Sequence, residues 1–82
     1  MTKSNIDLKE SLGFANKFLR NRNFDKAEKL YKKILEKFPN NFDANYFMAS
    51  IKAQKNNFSD AKNYMETAIS INPDLPELNN NL

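Results

Sequence analysis

The stretch Asn23-Phe24-Asp25-Lys26-Ala27-Glu28-Lys29-Leu30-Tyr31-Lys32-Lys33-Ile34-Leu35-Glu36-Lys37-Phe38-Pro39 decides the fold, because its marks return at a fixed distance. Asn23 recurs as Asn57, Phe24 as Phe58, Ala27 as Ala61 and Pro39 as Pro73, each 34 residues on (58 − 24 for the phenylalanines), and upstream Ala15 recurs as Ala49 at the same shift. Five matches at one shift, all at structurally sensitive residue types, mark an internal repeat. Within the stretch, Phe24, Ala27, Leu30, Tyr31, Ile34, Leu35 and Phe38 step by three, three, one, three, one and three. Those steps keep them on one stripe of an α-helix. Pro39 ends that helix, since proline disfavours helical geometry in its predecessor and has no N–H to continue the ladder. A repeat of this length built from helical patterns implies stacked units, each burying its apolar face against the next.

Upstream, Leu8, Leu12, Ala15, Phe18 and Leu19 form the stripe of an earlier helix, widened by Phe14, with Ser4, Asn5 or Asp7 placed to cap its start. Gly13 lies inside that helix at a cost of ~1 kcal/mol against alanine, so it either permits close packing or is tolerated. Asn21-Arg22-Asn23 reads as a tight turn, in which asparagine supplies the left-handed conformation and a capping side chain. Downstream, a third helix from Phe42 or Asp43 to Lys55 places Ala44, Phe47, Met48 and Ile51 on one side, with Tyr46 and Ser50 off the stripe. Asn56-Asn57 turns the chain into a fourth helix built on Phe58, Ala61, Tyr64, Met65, Ala68 and Ile69, with Ser59 or Asp60 capping its first turn and Asn72-Pro73 closing it. No stretch alternates with period two, so no strand is expected. The fold class is all-α: two tandem antiparallel helix–turn–helix repeats over residues 8–41 and 42–75, preceded by a frayed segment 1–7 and followed by residues 76–82.

Eighty-two residues, 40% hydrophobic and 28% charged, make one small domain, which buries only ~60–65% of the surface its unfolded chain exposes. Cysteine and histidine are both absent. That removes disulfides, thiolate nucleophiles, the commonest general base and the commonest transition-metal ligands, so neither metal nor cofactor is expected. With Gly13 as the single glycine there is no phosphate-cradling loop, and the carboxylates lack the spacing of an acid and base pair. The chain is therefore not expected to be an enzyme. The first residues lack the apolar core of a secretory signal, and no apolar run nears the ~20 residues that span a bilayer, which gives a cytoplasmic expectation. The net charge of +3 hides an asymmetry: residues 1–41 hold ten Lys/Arg against five Asp/Glu, residues 42–82 three against five.

Taken together, the 34-residue period, the small residues Ala15, Ala27, Ala49 and Ala61 at the helix crossings, Phe24, Tyr31 and Phe58, and a proline after each second helix resemble the tetratricopeptide repeat family. The likeness covers residues 8–75, and Pro76 to Leu82 align with the first seven positions of a third unit. It implies a right-handed α-solenoid fragment in which the alanines let antiparallel helices approach closely. There are departures: Ser11 and Asn45 stand where the family has an aromatic, Lys52 replaces the second aromatic of the second unit, and Arg22 and Asn56 occupy the turn position that favours glycine.

The resemblance also implies a function, namely a protein-protein interaction module in which the first helix of each unit lines a concave groove for a peptide or partner protein. The groove positions are Lys9, Leu12, Asn16 and Arg20 from the first unit and Asp43, Tyr46, Ser50 and Gln54 from the second. One subset of the family clamps the carboxylate tail of chaperones; here Asn16 alone fits that set, with Leu12, Phe47 and Glu77 at positions needing other residues, so no such clamp is expected. A second function follows from the family's habit of preceding glycosyltransferase or sulfotransferase domains in bacterial proteins, which would make this a structural amino-terminal segment. The helix face of Tyr64, Met65 and Ile69 offers self-association. Lys26, Lys29, Lys33 and Lys37 form a basic stripe that raises nucleic acid or an anionic membrane as targets. Against it stand the interleaved acids, with Asp25–Lys29 and Glu28–Lys32 expected as i,i+4 pairs, and the lack of interleaved aromatics for base stacking. Phe14, Phe18, Phe24, Tyr31, Phe38, Phe47 and Phe58 are expected mostly in the core.

Overall fold

In a computed structural model, which describes residues 7–73, four α-helices follow one another: α1 (Leu8–Arg20), α2 (Phe24–Lys37), α3 (Phe42–Gln54) and α4 (Phe58–Ile71). Among the described residues there is no strand. The expected caps Ser4 and Asn5, and the 76–82 segment, lie outside them.

Each boundary has a local cause. Asp7 caps α1, its Oδ1 accepting from the backbone N–H of Lys9 at 3.1 Å and Glu10 at 3.4 Å. Asn41 caps α3 by accepting from Ala44 N at 2.8 Å. For α4 the cap is Asn57, which accepts from Asp60 N at 3.4 Å while its amide donates to Asp60 Oδ2 at 3.1 Å. The cap thus falls two or three residues before the expected Ser59 or Asp60, because an Ncap residue lies outside the first helical turn and reaches forward into it, while Asp60 supplies the acid of that turn. Asn23, by contrast, makes no side-chain cap.

α1 and α3 end alike. The N–H of Asn23 donates to the Phe18 carbonyl at 2.8 Å and that of Arg22 to the Leu19 carbonyl at 2.9 Å; 34 residues later Asn57 donates to Lys52 at 2.8 Å and Asn56 to Ala53 at 3.0 Å. These are paired 6→1 and 5→2 bonds, which require a left-handed residue at the penultimate position. Arg22 (φ 62°) and Asn56 (φ 64°) provide it. In the first turn the left-handed residue is therefore the arginine, not the flanking asparagines.

Packing is sequential, α1 on α2, α2 on α3 and α3 on α4. Ala15, Ala27, Tyr31, Ile34, Ala44, Met48 and Ile51 form the buried core, with Leu8, Leu12, Phe18, Leu19, Phe24, Leu30, Leu35, Phe38, Phe47 and Tyr64 half-buried around it. Ala15 and Ala27 are wholly buried where α1 and α2 cross, as small residues at a close crossing should be.

Of the seven aromatics expected mostly in the core, five lie in or against it and two do not. Tyr31 is fully buried, Phe18, Phe24, Phe38 and Phe47 are half-buried, and Phe14 and Phe58 are 53% and 65% exposed. The reason lies in the stacking. Met48, the equivalent of Phe14, is covered by the preceding α2, and Phe24, the equivalent of Phe58, has α3 after it. Gly13 has nothing within 4 Å of where a Cβ would sit, so it is tolerated and serves no close approach.

A further correction concerns charge. Asp25 and Glu28 do not pair along their own helix with Lys29 and Lys32. Glu28 Oε2 accepts from Lys52 Nζ at 2.7 Å, and Lys55 Nζ reaches Asp25 Oδ1 at 2.7 Å and Glu28 Oε1 at 2.8 Å. The side chains of Lys52 and Glu28 are only 15% and 16% exposed, so the pair is partly withdrawn from water. Lys52, where the family has an aromatic, is thus accommodated by a carboxylate from the previous helix. No described helix is long and apolar enough to cross a membrane, and among the described residues no group of three carboxylates could hold a metal ion.

Candidate functional site

The groove expected between the first helices of the two units depends on what α1 and α3 present beside α2. At its centre is Tyr31, which sequence reasoning placed in the core and did not count as a groove residue. Its ring is buried and stacks on Phe47 of α3, with centroids 5.8 Å apart and an interplanar angle of 25°. Its hydroxyl donates to Asn16 Oδ1 on α1. Burial, and then the nearby Asp43 carboxylate, push the phenol above its ordinary range, with the Arg20 guanidinium opposing. The hydroxyl therefore stays protonated and remains a donor at neutral pH.

Of the expected groove residues, Asn16 of α1 meets this phenol through a hydrogen bond, while Arg20 of α1 and Asp43 of α3 act on it only through their charges. The bond to Tyr31 occupies Asn16 Oδ1 and leaves the amide N–H pair of that side chain for an outside acceptor. Arg20 and Asp43 are exposed and enter no ion pair among the described residues.

Tyr46 belongs to an aromatic row that continues from the same centre. It packs edge-on against Phe47 at 5.2 Å and stacks on Phe42 at 5.7 Å and 11°. The row Tyr31, Phe47, Tyr46, Phe42 therefore leads from the buried core to the half-buried start of α3. The signal for it was present in the sequence as the Phe42, Tyr46, Phe47 spacing of four and one, but Tyr31 sits on another helix, so the junction was not visible there.

The remaining expected residues are not drawn into this cluster. Leu12 is half-buried against the core. Lys9, Ser50 and Gln54 are exposed and make no side-chain bond among the described residues. The central residues are held by α1–α2 and α2–α3 packing, and these three by their helix positions alone.

Asn45, one residue from Tyr46, is a buried polar group that periodicity did not flag. Its Nδ2 donates to the Pro39 carbonyl at 3.1 Å and the Asn41 carbonyl at 2.8 Å. It thereby ties the link between α2 and α3 to the start of α3, fixing the angle at which Tyr46 and Asp43 are presented. An amide in place of the family's aromatic gives the Pro39 carbonyl a partner and adds a second donor to the Asn41 carbonyl, which also accepts from Asn45 N at 3.2 Å.

No solved structure matches the chain. A family model described as the tetratricopeptide repeat matches residues 18–80, most of the chain. Two helix pairs of equal length, identical 6→1 turns 34 residues apart and buried alanines where α1 and α2 cross agree with that match, and the chain belongs to the tetratricopeptide repeat family.

Proposed function

We infer that the chain has a binding role, since repeats of this family are generally non-catalytic protein-interaction modules. We propose that this chain binds an extended peptide or a partner protein along the surface shared by α1 and α3, with Asn16, Arg20, Asp43 and Tyr46 at its centre and Lys9, Leu12, Ser50 and Gln54 around it. One observation carries this: the Tyr31 hydroxyl fixes Asn16 through its Oδ1 and leaves its amide N–H pair unused, and the exposed Arg20 and Asp43 enter no ion pair among the described residues. Arg20 offers a fork to a carboxylate, Asp43 an acceptor for a cation or amide, Asn16 two donors to a peptide carbonyl, and Tyr46 an apolar surface.

The test is selection from a random peptide library, followed by titration of the best peptide into isotope-labelled protein. Amide shifts should concentrate on residues 12–16, 20 and 43–50, and Arg20→Glu with Tyr46→Ala should weaken binding about tenfold or more. Shifts confined to α4 or to the outer side of α2 would remove the proposal.

A second role, as one part of a larger repeat stack, is favoured by the exposure of Phe14, Phe58 and Ile69 (43%) at positions whose counterparts Met48, Phe24 and Leu35 are more covered. Its occupant would be another repeat, from this chain's own protein or from a second copy. A monodisperse, cooperatively melting monomer that binds no apolar dye would sink that role.

A further inference from the structure

We propose that the outer side of α2 is a second docking surface, whose occupant is an acidic segment of a partner protein carrying one large apolar side chain among its carboxylates. It shares no residue with the concave surface and stands or falls independently of it.

Phe18 of α1 and Lys26, Lys29, Leu30 and Lys33 of α2 line a hollow of about 260 Å³ that is open to solvent. Phe18 lies two residues from Asn16, which turns it to the far side of α1 at about 100° per residue. The half-buried Phe18 and Leu30 make an apolar floor, and three exposed lysines make the walls. Lys37, one turn beyond Lys33, continues the same stripe.

The charge on this face is uncompensated within the described chain. Interleaved acids would ordinarily neutralise such a stripe, but Asp25 and Glu28 are committed to Lys52 and Lys55 of α3. Lys29, Lys33 and Lys37 enter no ion pair among the described residues, and Lys26 makes a single contact, its ammonium lying 5.6 Å from the centroid of the Phe18 ring. Glu36 is the remaining carboxylate of α2, at the margin of the stripe. A hollow with an apolar floor, ringed by unpaired ammonium groups, is complementary to an apolar side chain flanked by anions.

Two other anionic partners fit less well. A nucleic acid held by stacking needs a free aromatic face, and the Phe18 ring is already covered by Lys26. A membrane surface takes apolar groups that project outward, whereas here they lie beneath the lysines. The dimensions suit one Phe- or Leu-sized anchor.

The probe is a fluorescein-labelled dodecapeptide of aspartate, glutamate and serine with one central phenylalanine, titrated with the full chain by fluorescence anisotropy. Lys29→Glu with Lys33→Glu alters exposed side chains only, and its fold is checked by circular dichroism; Lys62→Glu on α4 is the charge control. The double variant should weaken binding about tenfold or more and the control less than about twofold. Replacing the peptide's phenylalanine by alanine should weaken it about fivefold or more. Amide shifts should fall on residues 18 and 26–33. The proposal is overturned by absent binding, by indifference to the double variant or to the phenylalanine, or by tighter binding of a single-stranded oligonucleotide or of phosphatidylserine vesicles. Shifts on residues 12–16 and 43–50 instead would assign the peptide to the concave surface and overturn it equally.

Discussion

Arg22 holds a backbone conformation that costs an L-residue energy and glycine almost none, and its φ of 62° is fixed by the two carbonyls that the turn must satisfy. Arg22→Gly should therefore stabilise the fold by about 0.5–1 kcal/mol, less whatever the guanidinium gains over the Phe24 ring at 5.9 Å. Gly13→Ala should add about 1 kcal/mol, since the helix gains propensity and the new methyl meets nothing. Urea melts of the two single variants and their combination check both, and the effects should add because the sites share no partner. Tyr31→Phe should cost about 0.5–1.5 kcal/mol by leaving Asn16 without its donor. The raised phenol has a sign as well: its stabilisation is present below the ordinary value of 10.0 and is lost as pH rises above it. The alkaline fall in wild-type stability should therefore shrink in Tyr31→Phe, measured by melts across that range.

At the scale of elements, α2 and α3 are joined by apolar packing and by the Glu28, Lys52, Lys55 and Asp25 cluster. Hydrogen bonds from Lys52 first and Lys55 second hold the Glu28 carboxyl below its ordinary value of 4.5, with burial opposing. Its folded value is lowered, so its contribution is present above 4.5 and is lost as pH falls through the lowered value. Glu28→Gln should cost about 1–2 kcal/mol at neutral pH, between the usual figures for exposed and buried pairs. It should also flatten the acid limb of stability below pH 4.5, read from the urea midpoint. An unchanged acid limb would show that the pair carries no net stability. Lys52, raised first by its bond to Glu28, contributes at the opposite end, losing its share as pH rises above 10.5.

Across the described residues, the main packing runs from each helix to the next. α2 and α3 pack on both sides, and among the described residues α1 and α4 pack on one. Burial follows: α1 and α4 each bury a single residue fully, Ala15 and Ala68, whereas α2 buries Ala27, Tyr31 and Ile34 and α3 buries Ala44, Asn45, Met48, Ala49 and Ile51. Stability in such an array is close to a sum of nearest-neighbour terms, so its ends should open before its middle. Native-state amide exchange should show the strongest protection in α2 and α3 and earlier exchange in α1 and α4. Uniform protection across all four helices would instead indicate a single cooperative unit.

The four helices and their limits were legible in the sequence, because the apolar steps, the asparagine turns and the two prolines are local signals that act within a few residues. The 34-residue shift likewise carried the family. Three things waited for tertiary structure. Whether Phe14 and Phe58 are core or surface depends on which helix stacks next to them, and identical positions in two units receive different cover. Whether Glu28 meets Lys32 or Lys52 depends on a neighbour 24 residues away that approaches only when α3 packs on α2. That Tyr31 of α2 bonds Asn16 of α1 and stacks on Phe47 of α3 depends on three helices meeting at one side chain. Local periodicity sets the helices; the choice of partner for a side chain is settled by packing, since it compares groups that only the folded chain brings together.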